Sequence, residues 1–63
     1  MGLPLTTREL QVLALVAQGA ANKEIGLVLG ISTATAGKHV SNILERLNVP
    51  NRAAAVAVLM RGR

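Results

Sequence analysis

The sequence predicts an all-α domain, a compact set of four helices, and three observations carry that prediction. Apolar residues recur at three- and four-residue spacings along several segments, the signature of helices with one greasy face. Polar capping residues stand ahead of those segments, and glycines stand behind two of them. The chain has 63 residues, and one so short buries only about 60% of the surface its unfolded form exposes, so its core must be small and helical or be completed by a partner. No repeat or low-complexity tract interrupts the pattern, and the whole of 1–63 reads as one domain.

The stretch LTTREL (Leu5 to Leu10) opens the first helix, expected over about 7–18. Thr6 can cap it, Glu9 stands three residues later to close a capping box, and Leu5 with Leu10 has hydrophobic-staple spacing. Gly19 supplies a left-handed stop. Val12, Leu13, Val16 and Ala17 share an apolar arc that includes Glu9. A half-buried carboxylate there calls for a cation, and Arg52 is the expected partner.

The second helix is expected over about 22–29, with Ile25 and Leu29 on one side and Gly26 beside them, where a missing side chain lets two helix backbones approach closely. Gly30 ends it. Ser32 caps a third helix over about 33–47, whose Ala36, Val40, Ile43, Leu44 and Leu47 form an apolar stripe. Its opposite face carries Ala34, Lys38, Ser41, Asn42 and Glu45, with Gly37 at the edge. Asn51 caps a fourth helix over about 52–61, in which Ala53 to Met60 are apolar on every side. If Ala55, Val56 and Leu59 pack inward, Ala53, Ala54, Ala57 and Val58 remain as a smooth strip suited to close approach across a two-fold axis.

Seven Lys and Arg against three acidic residues give a formal charge of +4, which favours a polyanionic partner. Aromatic residues are absent, which argues against stacking on single strands or RNA bases and leaves duplex DNA as the better candidate. There is no cysteine, and His39 alone could supply one metal ligand, so neither a disulfide framework nor a metal site is expected, nor any other cofactor. No Ser, His and carboxylate set and no phosphate loop can be placed on the helices, so no enzyme is expected. The apolar run from Ala53 to Met60 is too short to cross a bilayer, and a soluble cytoplasmic protein with no membrane partner is expected.

A short helix, a three-residue turn with glycine and a longer helix beginning with small residues have the geometry of a DNA-reading helix-turn-helix. Ala34 and Gly37 leave room for the backbone to enter the major groove, and Lys38 can reach a guanine edge or a phosphate. Ser32, Thr33 and Thr35 sit at the helix start, where free N–H groups and hydroxyls favour a phosphate oxygen, though capping accounts for Ser32 as well.

LTTRELQVL, NKEI, LGISTATAGKHVSNILERLNV and NRAAAV together resemble successive parts of the LuxR/NarL-type (GerE-like) helix-turn-helix domain, the output module of many bacterial transcription regulators. The resemblance runs from Leu5 to about Met60. It implies a four-helix domain that binds DNA as a homodimer, with the third helix as recognition helix and the fourth forming much of the dimer contact. It implies base-facing positions at Ala34, Gly37, Lys38 and Ser41 and backbone contacts from Asn22, Lys23 and Thr35. Three positions depart from the family's pattern. Gly37 replaces a usual lysine, Ala36 a valine, and Ala21 a Ser or Thr cap. His39, where the family commonly has histidine, is either a backbone contact that strengthens on protonation or a flank residue packed on the second helix. Lys23 is either a phosphate contact or an ordinary solvated lysine. Asn42 borders the same face.

Two other classes stay open on the residues alone: the promoter-recognition region of a sigma factor, which EIGLVLGIS also resembles, and a small helical interaction module using the last helix. A regulator of this type implies a regulatory domain outside these residues, with RNA polymerase as a further partner.

Overall fold

Thr6 starts the first helix in the way LTTREL requires. In the computed structural model, which describes residues 2–61, its Oγ1 accepts the Glu9 N–H at 3.1 Å while Glu9 Oε1 accepts the Thr6 N–H at 2.9 Å. This reciprocal pair satisfies two of the donors that every helix start leaves open. The helices are α1 (Thr7–Ala17), α2 (Asn22–Leu29), α3 (Thr33–Leu47) and α4 (Arg52–Arg61), and no strand occurs among the described residues. Helix one ends a residue earlier than expected because Gln18 serves as its C-cap.

All three joints close with the same device. Gly19, Gly30 and Asn48 have positive φ, and the next residue returns an N–H to the carbonyl five positions back: Ala20 to Leu15 at 3.0 Å, Ile31 to Gly26 at 2.9 Å and Val49 to Leu44 at 3.0 Å. Each return bond satisfies a carbonyl that the helix end would leave bare. Asn48 fills the left-handed position at φ 55°, which asparagine tolerates better than other non-glycine residues. Asn51 Oδ1 accepts the Ala54 N–H at 2.9 Å and so caps α4 as expected.

The core is one cluster of Val12, Leu13, Ile25, Ala36, Val40, Ile43 and Ala55, with Leu44, Leu47 and Leu59 among the half-buried residues packed on it. Helix α3 lies centrally and packs on α1, α2 and α4, whereas α2 and α4 do not pack on one another. Ala17, placed on the apolar arc by periodicity, is exposed because it sits in the last turn of α1.

Glu9 is 4% exposed, yet its partner is Arg46, whose Nη1 lies 3.4 Å from Oε1, and not Arg52 as expected. The reason is the crossing of α3 over α1, which brings the last turn of one beside the first turn of the other. The arrangement also sets Glu9 at a helix N-terminus and Arg46 at a helix C-terminus, where each charge opposes the local dipole. Arg46 keeps half its side chain in water, so the pair is screened. Glu9→Gln retains an acceptor for the Thr6 N–H and is expected to lower stability by about 1 kcal/mol through removal of the charge. Urea unfolding of Glu9→Gln, Arg46→Ala and the double variant checks this: Arg46→Ala should cost less in the Glu9→Gln background, and equal costs would mean that the pair contributes nothing.

Candidate nucleic-acid interface

Gly26 sets the angle between α2 and α3. It is fully packed, and a Cβ built on it would stand 2.6 Å from the Ile31 carbonyl oxygen and 3.3 Å from the Ser32 carbonyl carbon. What approaches Gly26 is therefore the backbone of the turn leading into α3, rather than a second helix as the sequence suggested. Gly30, at φ 71°, reverses the chain, and Ser32 then caps α3. The Ser32 Oγ accepts the Thr35 N–H at 3.0 Å and donates to Thr35 Oγ1 at 2.9 Å. Capping thus occupies Ser32, while the hydroxyl hydrogen of Thr35 is left to point outward as a donor.

With Ala36, Val40 and Ile43 buried, the other side of α3 faces outward. Thr33, Ala34, Thr35, Lys38, Ser41 and Glu45 are exposed, and Gly37, His39 and Asn42 are half-buried. Ala34, Lys38, Ser41 and Glu45 follow at helical spacing, so the stripe is small at its start, cationic in its second turn and acidic toward its end. At the start of α2, Lys23 is exposed and Asn22 half-buried. Ala21 offers no side-chain acceptor to that helix, and Glu24 Oε1 takes the Ala21 N–H at 2.7 Å, which leaves the N–H groups beside Lys23 open to an anion.

Asn22 is also held from behind. Its Oδ1 accepts a hydrogen bond from the Arg52 guanidinium, and a Cβ on Gly37 would lie 3.1 Å from its Nδ2. Sequence reasoning singled out Asn22 and Gly37 but assigned Arg52 to Glu9 and missed its bond to Asn22. The bond spans thirty positions, and no local periodicity links residues that far apart. A shallow hollow beside it is lined by Val16, Gly19 and Ala20 of α1 and its joint, by Asn22 and Lys23, and by Ala53 and Val56 of α4. Val56 therefore borders this hollow, while Ala55 and Leu59 do the inward packing. Of the strip on α4, Ala53 and Ala57 are exposed and Ala54 and Val58 half-buried, with Met60 57% exposed beside them.

The described residues contain no group of three or more His, Cys, Asp or Glu able to hold a metal, and no helix long and apolar enough to cross a membrane. What the surface offers is hydrogen-bond donors and two exposed lysines beside the exposed start of α3.

A family model described as bacterial regulatory proteins, luxR family, matches residues 3–59. The chain is 48% identical over 59 residues to the nitrate/nitrite response regulator protein NarP of Escherichia coli (strain K12), covering 94% of this chain and 27% of that protein. It is 46% identical over 57 residues to the transcriptional regulatory protein LiaR of Bacillus subtilis (strain 168), covering 90% of this chain and 27% of that one. With the transcriptional regulatory protein DesR of Bacillus subtilis (strain 168) it shares 49% over 53 residues, covering 84% of this chain and 27% of the relative. The chain thus spans about a quarter of the length of these curated relatives.

Proposed function

Since the chain belongs to the luxR family of bacterial regulatory proteins, we propose that it binds double-stranded DNA sequence-specifically as the output domain of a cytoplasmic transcription regulator. The observation that carries this reading is the outer face of α3, which is exposed, narrow at its start and centred on Lys38. The family is one of regulators and not an enzyme class, and we assign this domain binding without catalysis. In this reading α3 enters the major groove with Ala34, Gly37, Lys38 and Ser41 toward the base edges. Asn22, Lys23 and Thr35 hold the phosphate track, flanked by Ser32, Thr33, His39 and Asn42.

The reading also takes two copies. The longest extent of the fold is 29 Å, shorter than the roughly 34 Å between successive major-groove faces on one side of a duplex. A homodimer joined along α4 through Ala53, Ala54, Ala57 and Val58 would place two copies of α3 at that spacing. A regulatory domain and RNA polymerase are the further partners that a regulator of this kind would engage.

Counterion release gives a sharp test. Arg46 is paired with Glu9 and Arg52 is bonded to Asn22, so Lys23 and Lys38 are the cations of α2 and α3 free to meet phosphates or bases. If both lysines meet phosphates, log affinity should fall with log salt at a slope of roughly −2 per subunit, and duplex-induced shift changes should centre on α3 residues 33–42 and the start of α2. Shift changes confined to α4 with no salt dependence would instead identify an interaction module and refute DNA binding.

A further inference from the structure

Asn22, Gly37 and Arg52 form a cluster that the DNA-binding reading uses only in part. Helices α2 and α4 do not pack together, and the long Arg52 side chain bridges them by donating to Asn22 Oδ1. A guanidinium carries donors only, so the amide must turn its oxygen toward Arg52 and its NH2 group away. That NH2 lies over α3 at Gly37, in space that any side chain at that position would contest, since a Cβ there would come within 3.1 Å of Nδ2.

We propose that Arg52 is a positioning residue for DNA binding. It locks the Asn22 amide with its NH2 donor over Gly37, so that Asn22 offers DNA a hydrogen bond where residue 37 itself has no side chain. An amide torsion is broad and nearly two-fold. Unlocked, the Asn22 side chain would present its oxygen to a phosphate in a large share of molecules, and that orientation repels. The proposal rests on the DNA-binding reading above, and adds to it a role for the first residue of α4, distinct from the apolar strip farther along that helix.

The first test reads the free protein. In nitrogen-edited spectra the Asn22 side-chain NH2 resonances should move in Arg52→Ala toward those of a solvated amide and stay near wild type in Arg52→Lys, which keeps a donor. Unchanged resonances in Arg52→Ala would overturn the lock. The second reads binding to a mixed-sequence duplex oligonucleotide at low salt, at a temperature where circular dichroism shows each variant folded. Asn22→Ala should weaken binding roughly tenfold and Arg52→Ala roughly two- to threefold, and the double variant should be no weaker than Asn22→Ala. Multiplying effects, with a salt slope about 0.9 shallower in Arg52→Ala, would overturn the proposal by making Arg52 a direct phosphate contact.

Gly37→Ala should weaken binding in the wild-type background, where the added methyl displaces the amide, and have no such effect in Asn22→Ala. Asn22→Asp supplies a variant that retains the Arg52 contact and the fold while exchanging the donor for an acceptor. It should lose at least as much affinity as Asn22→Ala, and binding at the wild-type level would overturn the proposal. A wild-type protein that shows the locked amide but binds no duplex would refute the DNA-binding reading and this role with it. Unchanged resonances in a protein that does bind would refute the lock alone.

Discussion

Gly26→Ala is expected to cost the domain about 2 kcal/mol and to lower its melting temperature accordingly. The added Cβ would stand 2.6 Å from the Ile31 carbonyl oxygen, which is backbone and cannot rotate aside. Relief requires the turn to move, and the turn is tied to Gly26 itself by the 2.9 Å bond from the Ile31 N–H and to α3 by the Ser32 cap. Moving it disturbs the packing of α2 on α3, whose Ile25, Ala36 and Val40 are three of the seven buried residues in the core cluster. Overpacking of this kind costs about 1–3 kcal/mol where side chains can yield, and the upper end or more against backbone. Helix propensity favours alanine over glycine by only about 1 kcal/mol, so the clash prevails. A domain of this length holds roughly 3–9 kcal/mol in all, and a net loss of about 2 kcal/mol removes most of the smaller figure. Thermal melting followed by circular dichroism decides it: a Gly26→Ala protein melting at the wild-type temperature would show that the turn is free to shift.

Lys38→Ala should leave the fold untouched and weaken DNA binding by about 1–3 kcal/mol, if the side chain bonds a base edge. The position is exposed and helical, between Ala34 and Ser41 on the outer stripe of α3, and alanine suits a helix at least as well as lysine. Melting is therefore expected within about 0.5 kcal/mol of wild type. The two roles open to this lysine separate by their pattern. Removing a hydrogen bond to a base relaxes preference at one operator position, whereas removing a charge from a phosphate weakens binding to all sequences alike and makes the salt slope shallower by about 1. Fragments selected from genomic DNA provide the operator for the comparison. Full retention of operator preference by Lys38→Ala would remove this residue from base reading.

The helices are legible because their ends are written locally. Thr6 with Glu9, Ser32, Asn51 and the glycines at 19 and 30 each act within a few residues of where they stand, and each performs the expected cap or stop. The outer face of α3 is legible for a related reason, since helical periodicity alone fixes which side Lys38 and Ser41 share. Tertiary choices are not. Periodicity shows that Glu9 turns inward but does not say which helix crosses α1 at that turn, and so it points to Arg52 where Arg46 belongs. The same gap hides the Arg52 bond to Asn22, and it makes the close approach at Gly26 look like a helix contact when the neighbour is the turn. On α4, uniform greasiness gives no phase at all, so only packing on α1 and α3 distinguishes Ala55 from Ala53.

The three joints that share one return bond have a kinetic consequence. Each holds consecutive helices together by contacts close in sequence, and topologies dominated by such local closure fold on the microsecond to millisecond scale. Little chain entropy has to be given up before native contacts begin to form. A domain pulled open would regain its shape on that scale, so the apolar last helix would stay bare only briefly, and rapid renaturation would stand in for a deep core.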